Sequence, residues 1–168
     1  MKKMVVLCLF VAVALGFTSC RLRNDPFPAS LVTYFPYTEN QQLVFANENR
    51  DTTCLTVTEV FVSGAWSCPF GQKCRPPIEM TVNATNDSIL FNVFMSASYP
   101  KYLILDLKAC DVYYYREFPG DPFSDQIISE IGDTIRLSKD DNEAIVVRYE
   151  GLVEFSDLQR NCTWKLVK

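Results

Sequence analysis

The sequence predicts an all-β protein, an antiparallel barrel or sandwich of about eight strands with at most one short helix. Three observations predict it. Apolar and polar residues alternate with a period of two through most of the chain beyond residue 40. Polar clusters interrupt these runs at fairly even intervals, as turns between short strands do. Helical spacing shows only between Pro122 and Ile131, where Ile127 and Ile131 lie four apart. No long internal repeat or low-complexity tract competes with this reading.

The elements follow in order. Gln42 to Asn47 is a short run, closed by the polar turn Glu48-Asn49-Arg50-Asp51. Thr52 to Ser63 is a long β-rich run, with Thr56, Thr58, Val60 and Val62 expected on one face and Leu55, Val57 and Phe61 on the other. Ile78, Met80 and Val82 alternate with Glu79, Thr81 and Asn83. After the turn at Thr85-Asn86-Asp87 the pattern resumes with Ile89, Phe91 and Val93, which makes the clearest hairpin in the chain. Leu103, Leu105 and Leu107 mark the next strand, and Val112 to Phe118 is aromatic and β-prone. Gly132-Asp133-Thr134 leads into Ile135-Arg136-Leu137. Ile145, Val147 and Tyr149 follow, then Gly151 and Leu152 to Phe155, and Cys162, Trp164 and Leu166 share one face of the last strand.

The first twenty residues have a different logic. Lys2 and Lys3 precede an apolar run from Met4 to Phe17, and Thr18-Ser19-Cys20 closes it with small residues and a thiol. Fourteen apolar residues suit a signal peptide and are short for a bilayer span. Thr18-Ser19-Cys20 resembles a bacterial lipobox, with Phe17 where leucine is usual. That resemblance implies diacylglyceryl transfer to Cys20 and cleavage before it. The competing readings are an ordinary secretory signal and an uncleaved anchor. The expected organisation is a signal over residues 1–19, a tether over 20–30 extended by Pro26 and Pro28, and a single β-rich domain over 31–168.

Composition narrows the function. Without Lys2 and Lys3, 14 basic side chains face 20 acidic ones, a net of −6. An acidic surface argues against nucleic acid and against peripheral binding to anionic lipid. The chain contains no histidine. Histidine-based triads, Cys-His dyads and most catalytic zinc sites are therefore excluded, and an enzyme would have to use carboxylates, lysine or tyrosine. No cofactor or metal ligand set is expected. Beyond Cys20 the chain carries Cys54, Cys68, Cys74, Cys110 and Cys162, none in a CxxC pair. The spacing of Cys68 and Cys74 around Gly71 suits a disulfide loop, and a second bridge is expected among Cys54, Cys110 and Cys162. The alternative is reduced, buried thiols.

Tyr34-Phe35-Pro36-Tyr37, Gln42 to Asn47, Asp51-Thr52, Gly132-Asp133-Thr134-Ile135, Gly151 to Phe155 and Thr163-Trp164 resemble segments of small Bacteroidetes envelope lipoproteins. The resemblance covers the signal, the first hairpin and the last third, and it carries over no catalytic residue. It implies a β-rich body anchored in the envelope, and Arg21-Leu22-Arg23 after Cys20 favours the periplasmic side of the outer membrane. Asp51-Thr52-Thr53, Asp87-Ser88-Ile89 and Asp133-Thr134-Ile135 resemble that phylum's O-glycosylation sequence, which marks Thr52, Ser88 and Thr134. Plain turn chemistry explains the same tripeptides.

Two clusters remain. Tyr113, Tyr115, Phe118 and Phe123 near Pro119-Gly120 are candidate ligand-facing aromatics, weighed against a strand whose alternate rings pack inside and outside. Eight acidic residues fall between Glu117 and Glu143, and solvated turns explain them better than catalysis or calcium binding. The expected function is a non-catalytic, lipid-anchored binding or accessory module. Its partners would be the membrane, through acyl chains on Cys20, and an envelope protein or glycan. The alternatives are a carboxylate-dependent glycan hydrolase and an inhibitor that presents the Cys68–Cys74 loop.

Overall fold

A computed structural model describes residues 27–63, 78–98 and 102–167. Among them, helix α1 (Ala29–Val32) precedes β1 (Gln42–Ala46), β2 (Thr52–Val62), β3 (Ile78–Thr85), β4 (Leu90–Ser98), β5 (Tyr102–Ala109) and β6 (Val112–Pro119). Helix α2 (Asp125–Ile131) then leads to β7 (Thr134–Lys139), β8 (Asn142–Val147), β9 (Gly151–Asp157) and β10 (Cys162–Leu166). All ten strands join one sheet in the order β6-β5-β4-β3-β2-β1-β10-β9-β8-β7. Every pairing is antiparallel, and the first strand pairs with the last.

This is an up-and-down meander wound into a nearly closed barrel. The ladder is interrupted between β6 and β7, where Arg116 Nη1 donates to the Arg136 carbonyl at 3.0 Å. Meander topology places the β1–β2, β3–β4, β5–β6, β7–β8 and β9–β10 turns at one end of the barrel. The other end carries α1, α2 and the turn between β8 and β9.

Alternation sets the core. Met80, Val82, Phe91, Val93, Leu103, Leu105 and Leu107 are fully buried, while their neighbours in sequence face outward. The expected β3–β4 hairpin forms, with Val82 opposite Val93 and Ala84 opposite Phe91. The count differs slightly from expectation, with ten strands and two short helices among the described residues; the second helix is the single turn Ala29–Val32.

Two local expectations are corrected. In β2 the register shifts between Val57 and Glu59, so the face alternation inverts at Thr58. Val60 consequently packs against the core beside Leu55 and Val57, and Phe61 faces solvent. The expected tether boundary also moves. Phe27 is buried and Ala29–Val32 is helical, so residues 27–30 belong to the body.

Phe27, Leu31, Tyr34, Phe35 and Tyr37 enter the core at the end that carries α1 and α2. Burying one such side chain contributes about 1.5–3 kcal/mol, enough to hold a single helical turn that is unstable in isolation. Polar ties fix the segment. The Tyr34 hydroxyl donates to the Gly132 carbonyl, and the Leu152 N–H donates to the Tyr37 hydroxyl at 2.6 Å. Tyr149 N–H donates to the Thr33 carbonyl at 2.6 Å.

Candidate functional site

The end that carries the β1–β2, β3–β4 and β9–β10 turns holds a polar cleft of about 450 Å³ between these three hairpin tips. Asn47, Asn49, Asp51, Thr52 and Thr53 come from the β1–β2 hairpin, Asn86 and Ser88 from β3–β4, and Arg160 and Trp164 from β9–β10.

Two asparagines shape the rim. Asn47 Oδ1 accepts the N–H groups of Asn49 at 3.0 Å and Asp51 at 2.9 Å, while its amide donates to Asp51 Oδ2 at 3.0 Å. Asn86 Oδ1 accepts from the N–H groups of Ser88 at 2.9 Å and Ile89 at 2.8 Å. Its amide bridges to Thr53 Oγ1 at 2.7 Å and to the Cys54 carbonyl at 3.1 Å, which links the two hairpins. Asparagine suits these turns because its side chain imitates a backbone turn.

The back of the cleft is built on Asp157, whose side chain is fully buried. It accepts from the Trp164 indole N–H at 3.1 Å, from Arg160 Nη1 at 2.7 Å, and from the N–H groups of Gln159 and Arg160. Burial alone would raise its pKa. The bonds from Arg160 and Trp164 outweigh burial and hold the carboxyl below its ordinary range. Gln159 also reaches Asp111 at the β5–β6 tip, so the hairpins brace one another.

The sequence candidates are dispersed. Cys20, Cys68 and Cys74 lie outside the described residues. Cys54 is exposed, and Cys110 and Cys162 are buried; all three are free thiols, which corrects the expected second bridge. Cys110 sits at the β5–β6 turn with φ of 53°, and burial, with Asp157 beside it, pushes its pKa up to about 12. Burial likewise raises Cys162. Both are buried in the manner of thiols that pack as small hydrophobes.

The aromatic candidates divide. Tyr113 and Tyr115 face solvent on β6, Tyr114 between them is buried, Phe118 is buried, and Phe123 packs against the core. No common surface unites the four, because alternation sends them to opposite faces. Thr52 and Ser88 meet at the cleft, whereas Thr134 is exposed at the start of β7. The acidic residues do not converge either. Glu143 pairs with Arg136 at 3.1 Å, and Asp133 with Arg148 at 3.7 Å. Among the described residues no group of three metal-ligating side chains forms, and no helix is long and apolar enough to cross a membrane.

No protein-family model, curated protein or solved structure matches this chain. Sequence reading missed Asp157 and Arg160 as site residues. The available signal was an acidic residue closing a strand with arginine three positions later.

Proposed function

We propose that the protein is a lipid-anchored, non-catalytic binding module of a bacterial envelope, held on the periplasmic side of the outer membrane and taking its ligand in the hairpin-end cleft. The observation that carries the non-catalytic reading is the cleft's lining. Among the described residues its one carboxylate is Asp51, already bonded to Asn47, and the buried carboxylate behind it is committed to Arg160 and Trp164. Glycoside hydrolysis needs two carboxyl groups flanking one bond, so this arrangement supports retention of a ligand rather than its cleavage.

The anchor rests on the lipobox-like end of the signal. Two acyl chains supply the paired anchoring that a single chain lacks. The remainder of the tether would hold the barrel close to the membrane surface. An open cleft constrains the O-glycosylation reading as well. A glycan on Thr52 or Ser88 would fill the cleft, whereas Thr134 accepts one without obstructing it.

Cell fractionation of a Cys20→Ala variant tests the anchor. The account expects the wild-type chain in the membrane fraction and the variant released or left as an unprocessed precursor. A variant that stays in the membrane with a cleaved signal would contradict it.

A further inference from the structure

We infer that the cleft takes a neutral, hydroxyl-rich ligand of one or two sugar rings, and discriminates against acidic sugars. The inference rests on the cleft being the ligand site and adds the chemical class.

The first argument is the inventory of free groups. The Asn47 and Asn86 amides are consumed within the hairpins, as described above. Among the described lining residues, what remains for a ligand is the hydroxyls of Thr52 and Ser88, the O–H of Thr53, the Asn49 side chain, the second oxygen of Asp51 and the Arg160 N–H groups other than the one on Asp157. Hydroxyls both donate and accept, so they match the hydroxyls of a sugar, each of which also does both.

Charge supplies the second argument. Among the described residues Arg160 is the lone cation on the lining, and it is neutralised by Asp157 at 2.7 Å. Asp51 forms no ion pair with Arg160, and Glu48 and Arg50 in the same turn offset each other, so the described lining and Asp157 together carry one negative charge in surplus. A carboxylated or phosphorylated ligand meets repulsion there, while a neutral polyol does not.

Size is the third. A cleft of about 450 Å³ lies toward the small end of ligand sites, which fits one or two rings. Trp164 is nearly buried and turns its N–H to Asp157, so it forms the back wall without offering an open face for stacking. Binding is consequently expected near the millimolar range.

The test follows backbone amide NMR shifts of the full-length protein in detergent during titration with three neutral disaccharides, lactose, maltose and diacetylchitobiose, and with digalacturonate. At least one neutral sugar should shift residues 47–53, 86–89 and 160 saturably. A Thr52→Val/Ser88→Ala variant should weaken that binding about tenfold or more, since each lost hydroxyl removes a hydrogen bond, with the thermal midpoint unchanged. Digalacturonate should leave those residues unshifted. Equal or tighter binding of digalacturonate at the same amides would overturn the neutral class while keeping the cleft as the site. No saturable shift there with any of the four sugars would overturn both readings.

Discussion

The indole N–H of Trp164 donates to the carboxylate of Asp157 at 3.1 Å, and the same carboxylate oxygen receives Arg160 Nη1 at 2.7 Å. One buried side chain therefore positions both the wall and the cation of the cleft. Removing it should cost more than a typical hydrogen bond. Asp157→Ala is expected to destabilise the protein by about 3 kcal/mol, because the Trp164 N–H and two backbone N–H groups lose their acceptor together. Urea unfolding measures the loss, and a red shift of Trp164 emission before global unfolding reports the opened wall. An unchanged urea midpoint would show that the carboxylate is not structural.

The same residue predicts an acid dependence. Its native pKa lies below the ordinary carboxylate value, so its stabilisation is complete above the unfolded-state value of about 4 and is lost as pH falls through the lower native value. Stability of the wild-type chain should thus decline below about pH 4 more steeply than that of Asp157→Asn. Unfolding curves from pH 7 to pH 2 make the comparison, and parallel curves would count against it.

At the opposite end of the barrel, Tyr37 and Gly151 form a close contact. Gly151 has φ of 88°, and an added Cβ would lie inside the Tyr37 ring and hydroxyl. Gly151→Ala should destabilise by about 3 kcal/mol or more, through both the backbone and the clash. Tyr37→Phe should cost about 1–3 kcal/mol by stranding the buried Leu152 N–H. It should not rescue Gly151→Ala, because the ring carbons remain in place. Thermal unfolding of the two single variants and the double variant decides this.

Thiol reactivity should follow burial. In the native state Cys54 is expected to alkylate readily, and Cys110 and Cys162 only on unfolding, since burial raises both of their pKa values. Peptide mass mapping after brief iodoacetamide treatment distinguishes them. Rapid labelling of Cys110 would mean that the β5–β6 tip opens.

Period-two patterning exposed most of the barrel in the sequence. Leu103, Leu105 and Leu107, and the β3–β4 hairpin, are legible because side-chain alternation is a local property. The inversion at Thr58 was hidden, because a bulge is fixed by the partner strand and leaves the composition unchanged. Residues 27–30, at the start of the buried segment that runs on to Tyr37, read as the end of the tether, since Pro26 and Pro28 are local signals and the burial of Phe27 is a tertiary one. The cleft was illegible for the same reason. It joins residues from Asn47 to Trp164 through the closure of β1 on β10, and no short window contains both. Thr52 and Ser88 stand out in the sequence as hydroxyls at turns, and only the fold brings them together.

The most direct test of the account is the intact mass of the protein extracted from its native membrane, with peptide mapping of residues 47–53 and 86–89. The account predicts acyl chains on a mature N-terminus at Cys20, with Thr52 and Ser88 unmodified, so that the barrel is anchored and its cleft open. A chain without acyl groups, or one with glycans on Thr52 or Ser88, would contradict it: the first removes the anchor, and the second fills the cleft.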